Sequence, residues 1–152
     1  MTELETRTHT ALHLVKGAIV KVLGDEAAWT TSAYVKDDHG RIHVEFDRKP
    51  SDEEIELIEK MANQIVEKDE EIEMLKLDRE EAERRWGDRI YDKFPIPKEI
   101  RTLDIFHLAG WNINACNKQH TDSTGEVGKI TITKTRFRNS RNELEVSYDI
   151  ED

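Results

Sequence analysis

The sequence predicts an α+β fold, an antiparallel sheet with helices packed on it. Three observations carry that expectation. A helix-period apolar stripe opens the chain, strict apolar–polar alternation follows, and the order runs helix, hairpin, helix, short strand, helix, then strands. Strands and helices grouped this way, rather than alternating one for one, favour an antiparallel sheet over a parallel one.

The first helix should run from about Thr8 to Leu23. Leu12, Val15, Ile19, Val22 and Leu23 line one face, and Ala11 and Ala18 widen it, so the helix should be half to mostly buried. Thr6 or Thr8 can cap its start, and Gly24 stands where a C′ glycine belongs. Trp29 to Lys36 and Arg41 to Arg48 read as a hairpin. In it Ile42, Val44 and Phe46 alternate with polar residues, and Asp37-Asp38-His39-Gly40 supplies the turn. Ser51 and Glu54 form a capping box just after Pro50, opening a helix that carries Ile55, Ile58, Met61, Ala62, Ile65 and Val66. Ile72 to Leu77 reads as a short strand, and Asp78 caps a helix ending near Gly87. Leu103 to Leu108, Lys129 to Arg138 and Glu143 to Ile150 complete the strands.

A chain of 152 residues fits one domain, 1–152, with a single core. Its 36% hydrophobic and 37% charged residues make a globular composition. No apolar run approaches the roughly 18 residues of a membrane helix, and the opening residues are polar and acidic, unlike a secretory signal. Cys116 is the only cysteine, so no disulfide framework is possible and a reducing, cytoplasmic setting is expected. The net charge of −10 argues against a broad, non-specific grip on DNA or other nucleic acid. The charge is uneven, however. Acids crowd Asp52 to Asp92, which reads as solvated helix surface, whereas Lys118, Lys129, Lys134, Arg136, Arg138 and Arg141 face only Asp122 and Glu126 between Cys116 and Asn142. A local basic face on an acidic protein follows.

His9 and His13 stand four apart on the first helix, which stacks two imidazoles on one face, about 5–6 Å apart at Cβ. Cys116 and His120 repeat the spacing. Either pair alone is weak, since a lone cysteine is usually a small buried hydrophobe. Two pairs offering one thiolate and three imidazoles make a tetrahedral zinc set, one ion per chain. Among the other histidines, His39 and His43 read as solvated and His107 as a partly buried strand residue. Trp29, Trp86 and Trp111 read as packing, and Trp111 is the one placed to line a cleft beside the metal loop.

The segments His9-Thr10-Ala11-Leu12-His13-Leu14 and Cys116-Asn117-Lys118-Gln119-His120, with Thr124-Gly125-Glu126-Val127-Gly128 after them, resemble the editing domain of alanyl-tRNA synthetase. They resemble still more closely the AlaX trans-editing proteins, in their short form. The likeness covers essentially the whole chain. It departs in the metal loop, where the synthetase has Cys-Gly-Gly-Thr-His and this chain carries Lys118. The resemblance implies the editing-domain fold shared by alanyl- and threonyl-tRNA synthetases. It also implies zinc-dependent hydrolysis of tRNA for alanine mischarged with serine or glycine, with His9, His13, Cys116 and His120 as ligands and catalytic centre.

Four protein ligands is nonetheless the structural pattern of zinc, and three plus an open position the catalytic one. Either one ligand is loose, with His120 the candidate, or coordination expands on substrate binding, or water is activated away from the metal. A non-catalytic zinc-stabilised RNA-binding module is therefore the alternative, and a hydrolase for another ester or amide the third reading. RNA contact should rest on Lys118, Lys129, Lys134, Arg136 and Arg138, or else on Arg7, Lys16 and Lys21. Telling serine from alanine requires a group that rewards a hydroxyl. Thr30 and Ser32 share a face of the first strand if alternation is regular, and Thr30 is the first choice. Thr124 and Gly125, just past the metal loop, are the remaining substrate-binding candidates.

Overall fold

In a computed structural model describing all 152 residues, Met1–Asp152, helix α1 spans Glu3–Leu23. It starts well before the apolar stripe because Thr2, not Thr6 or Thr8, is the cap. The Thr2 hydroxyl accepts from the Glu5 N–H at 3.1 Å, and the Glu5 carboxylate accepts from the Thr2 N–H at 3.2 Å. From Thr8 to Ile19 every residue is buried, so the helix is enclosed on all sides rather than laid on a surface. Its chain neighbours are β1 (Thr30–Lys36) and β2 (His39–Glu45), then α2 (Asp52–Lys68), which begins at the expected Ser51–Glu54 capping box. The strand β3 (Glu73–Asp78) and the helix α3 (Arg79–Trp86) come next. They are followed by β4 (Thr102–Leu108), β5 (Asn112–Ala115), β6 (Lys129–Arg138) and β7 (Glu143–Glu151). No helix is long and apolar enough to cross a membrane.

The architecture is α+β, with antiparallel pairing throughout, but there are two sheets rather than one. One has the order β1-β2-β7-β6 and the other β3-β4-β5. The second sheet ends in β5, whose four residues Asn112 to Ala115 carry too short a pattern to announce a strand. Helix α1 touches both sheets and α2. Ala11, Leu14, Val15 and Ile19 of α1 join Ile42, Val44, Ile58, Phe106, Leu144, Val146 and Tyr148 in a core cluster of 23 residues. A smaller cluster of five, Ala82, Ile90, Tyr91, Leu103 and Ile105, lies under α3.

Three local expectations are corrected. The hairpin turn is Asp37-Asp38 alone, with Asp37 at φ 53°, because Lys36 already pairs with His39. Gly40 therefore sits inside β2, where any Cβ would run into the Tyr148 ring. A β-bulge lies between Thr30 and Ser32, which pair with the adjacent Val44 and His43. The extra residue breaks the alternation, so Thr30 is buried while Ser32 is exposed. Finally, His39 and His43 are not free in solvent. His39 meets Asp149 at 2.7 Å, and His43 bridges Ser32 at 2.9 Å and Glu145 at 3.0 Å across the sheet. His107 is half-buried as expected, beside Glu73 and the Trp86 ring.

Candidate metal centre

His9 and His13 project from the buried face of α1 toward the loop that follows β5, which carries Cys116 and His120. That loop is not helical. It is held by the Cys116 N–H donating to the Asp104 carbonyl at 2.9 Å and the Thr121 N–H donating to the Thr10 hydroxyl at 2.9 Å. The donor atoms of His9, His13, Cys116 and His120 all lie within 4.8 Å of one another. Cys116 Sγ is 3.7 Å from His9 Nε2, and the Nε2 atoms of His13 and His120 are 3.1 Å apart. A tetrahedral zinc with Zn–N of about 2.05 Å and Zn–S of about 2.3 Å has N···N and N···S edges of roughly 3.3 and 3.6 Å. The two observed edges fit such an ion, and so does the donor set of one sulfur and three nitrogens.

Neighbouring groups hold these side chains in place. His13 stacks on Phe106 at 4.0 Å between ring centroids, and its Nδ1 meets Asn112 Oδ1 at 2.8 Å. An Nδ1–H donating to that amide oxygen leaves Nε2 as the lone-pair nitrogen facing the cluster. His9 Nδ1 lies 3.4 Å from the Gln119 carbonyl. His120 Nδ1 is buried and has no partner, so no hydrogen bond at that nitrogen orients the His120 ring. Burial sets the charges. It lowers His9 to about 4 and His120 to about 3. It drives His13 well below its ordinary value, helped by His120 and His9. It also raises the Cys116 thiol. At neutral pH the site is thus three neutral imidazoles and one thiol, converging lone pairs ready for a cation.

A cleft of about 280 Å³ opens beside these ligands, and His9, His13 and Cys116 form part of its wall. Thr30 and Lys118 line it too, as does Asp92. Lys16 is 6% exposed and donates from Nζ to the Thr30 hydroxyl. Desolvation lowers its ammonium to about 8, partly offset by Asp92. Asp92 is accessible to solvent, yet desolvation in the cleft raises its carboxyl. The Lys93 N–H donates to the Thr30 carbonyl at 2.9 Å, which draws this segment alongside β1. Asp92 reads in the sequence as an ordinary surface charge, and Lys16, expected as one of the alternative RNA contacts, is instead buried in the wall of the cleft. Asn112 also carries no sequence signal.

The other candidates lie elsewhere. Ser32 faces away and engages His43. The Thr124 hydroxyl donates to the Ile65 carbonyl at 2.6 Å and accepts from the Glu70 N–H at 2.9 Å, tying the post-loop turn to the end of α2. The Gly125 N–H donates to Asp69 at 3.0 Å for the same purpose. Lys129, Lys134, Arg136 and Arg138 lie on β6, an edge strand, and none lines the cleft. Arg7 is occupied with the Glu126 and Val127 carbonyls.

The chain is similar to curated alanine–tRNA ligases. It is 44% identical over 128 residues to that of Methanopyrus kandleri, covering 84% of this chain and 14% of the ligase. The Pyrococcus abyssi ligase is 36% identical over 129 residues, 85% of this chain and 14% of the ligase. The Methanococcus aeolicus ligase is 36% identical over 145 residues, 95% of this chain and 16% of the ligase. No family model matches the chain. It therefore spans only a small part, 14 to 16%, of these relatives.

Proposed function

Starting from a chain homologous to one segment of archaeal alanine–tRNA ligases, we propose that it is an aminoacyl-tRNA deacylase. On this reading it clears serine, and also glycine, from mischarged tRNA for alanine, and it does so in trans. One observation carries the proposal. Four metal-binding side chains converge, and three of them, His9, His13 and Cys116, line a cleft that Thr30 lines too. His9, His13, Cys116 and His120 would hold zinc. When bound there, zinc supplies Lewis acidity, polarising an ester carbonyl and lowering the pKa of nearby water.

The remaining roles belong to the chain. Lys16 donates to the Thr30 oxygen, which leaves the Thr30 O–H free to donate to a substrate hydroxyl in the cleft. A serine side chain accepts that proton and an alanine side chain cannot, which is the asymmetry that discrimination by a hydrogen-bonding site requires. Asp92 supplies a carboxylate on the same wall, the complement of a substrate α-ammonium. Asn112 keeps the His13 ring in register, and Lys118 at the mouth draws in an anionic RNA.

The test is deacylation of seryl-, glycyl- and alanyl-tRNA for alanine by the purified chain, with and without chelator. Rapid loss of serine, slow loss of alanine and recovery on adding zinc are expected. A second reading is favoured by the number of donors, since four protein ligands can close a zinc site. A fully zinc-loaded chain that binds tRNA and hydrolyses none of the three would make it the zinc-stabilised RNA-binding module instead.

A further inference from the structure

The two sheets end in β1, β6, β3 and β5. A free sheet edge is a template for another strand unless charge, shortness or a cover blunts it. Three of these edges are blunted. β6 is covered at its start by α2, where the Asn63 amide bonds both the N–H and the C=O of Ile130 and Glu59 accepts from the Ile132 N–H. Its open remainder carries Lys134, Arg136 and Arg138. β3 carries Glu73, Lys76 and Asp78, and β5 has only four residues. β1 is different. Its seven residues hold one charge, Lys36 at the end, in a chain that is 37% charged.

The bulge between Thr30 and Ser32 and the Lys93 N–H on the Thr30 carbonyl blunt only the start of β1. Beyond them Ser32, Ala33 and Tyr34 are exposed in succession. Lys36 closes the two-residue turn on His39, so its N–H and C=O face β2. By alternation those of Tyr34 face β2 too, and those of Ala33 and Val35 point out from the edge. No backbone hydrogen bond outside the sheet ladders reaches Ala33 or Val35. Aromatic surface stands at the same edge. Tyr34 is 44% exposed, and Phe94, which follows Lys93 in the chain, is the most exposed large apolar side chain at 73%.

We propose that β1 pairs with β1 of a second copy of this chain, antiparallel about a twofold axis at Tyr34, so that two four-stranded sheets become one. In that register Ala33 meets the partner's Val35 and Val35 the partner's Ala33. Each pair exchanges the hydrogen bonds that its outward N–H and C=O supply. A contact of this symmetry requires an edge that complements itself, and an uncharged strand does so. The charges beyond its ends are complementary as well. The partner's Asp37 and Asp38 come opposite Thr31 and Thr30, beside Lys93, which in the single chain meets only Glu45. Both acids are exposed. Thr30 and Ala33 also line the cleft beside the metal centre, so the two clefts of the pair open on the same side of the joined sheet.

Sedimentation of the purified chain over a dilution series tests this. The wild type should pass from dimer to monomer, and a wild type that is monomeric at every concentration overturns the inference. Tyr34→Lys sets two like charges directly opposite each other and should abolish the dimer. Tyr34→Glu should do the same, and an equimolar mixture of the two variants should restore a heterodimer. Val35→Pro removes an N–H that faces away from β2, so the strand keeps its own pairing while the dimer is lost. Circular dichroism matching the wild type identifies the variants that fold. Amide hydrogen exchange needs no variant at all. The Ala33 and Val35 amides should exchange fast in the dilute monomer and slowly in the dimer, with Lys134 to Arg138 unchanged between the two. A dimer that survives in folded Tyr34→Lys or Val35→Pro, or one whose Ala33 and Val35 amides stay unprotected, places the contact elsewhere and overturns the inference. The deacylase reading stands or falls separately, on the tRNA assay.

Discussion

Loading zinc into the metal-free protein at pH 6 should release close to one proton. Burial holds His9 at about 4, His120 at about 3 and His13 well below the ordinary value, so all three rings are already neutral at that pH. Only the Cys116 thiol, raised by burial, must give up a proton to become a ligand. A histidine at its ordinary value of about 6.5 is roughly three-quarters protonated at pH 6, so three such rings plus a thiol would release about 3.3 protons. The difference between about one and about three is large. Calorimetric titration of zinc in several buffers of different protonation enthalpy measures it, since the slope of apparent enthalpy against buffer enthalpy is the number of protons released. A value near three would mean that the rings are solvated before the metal arrives. The reasoning that they converge in a desolvated site would then be wrong.

Three further outcomes are expected. Asn112→Ala removes the 2.8 Å contact that orients His13 and should weaken zinc binding about 10- to 100-fold, the usual cost of losing such a partner; competition against a chelator of known affinity reads this directly. Thr30→Val keeps the shape of a buried side chain and removes its hydroxyl. The ratio of seryl- to alanyl-tRNA hydrolysis should collapse, by up to about 10⁴-fold, with zinc content unchanged, and a wild-type ratio would reduce Thr30 to a holder of Lys16. The metal-free protein should lose stability in acid. The unfolded histidines take up protons near pH 6.5, while folded His9 and His120 refuse them down to about 4 and about 3, so stability falls as pH drops through that window. Urea midpoints at pH 7.5 and 5 measure the loss, and His9→Ala should shrink it.

Much of the fold was legible along the chain because each signal was local. The stripe from Leu12 to Leu23 is a helix period, Ile42, Val44 and Phe46 are a strand period, and Ser51 with Glu54 satisfies a helix start within one turn. The errors arose where a residue's role depends on a partner far away in sequence. Gly40 looks like a turn glycine and is a strand glycine, because Tyr148 needs the space. Ser32 was placed beside Thr30 by regular alternation, which the bulge between them breaks. His39 and His43 looked solvated because Asp149 and Glu145 stand across a sheet, on a strand more than a hundred residues later.

The metal centre divides the same way. The pairs His9–His13 and Cys116–His120 were each visible, since a spacing of four residues is a local property and the cysteine is alone. That the two pairs meet is decided by packing, as α1 lies against the loop after β5 and brings four donors within 4.8 Å. Lys16 and Asp92 show the limit most clearly. In the sequence they are two charges among 56, and an acid or a lysine at such a spacing usually faces water. Only the enclosure of α1 and the hydrogen bond from Lys93 to Thr30 place them on the wall of the cleft. Desolvation, a property of everything around a residue, then shifts their pKa values and turns two common side chains into part of a site.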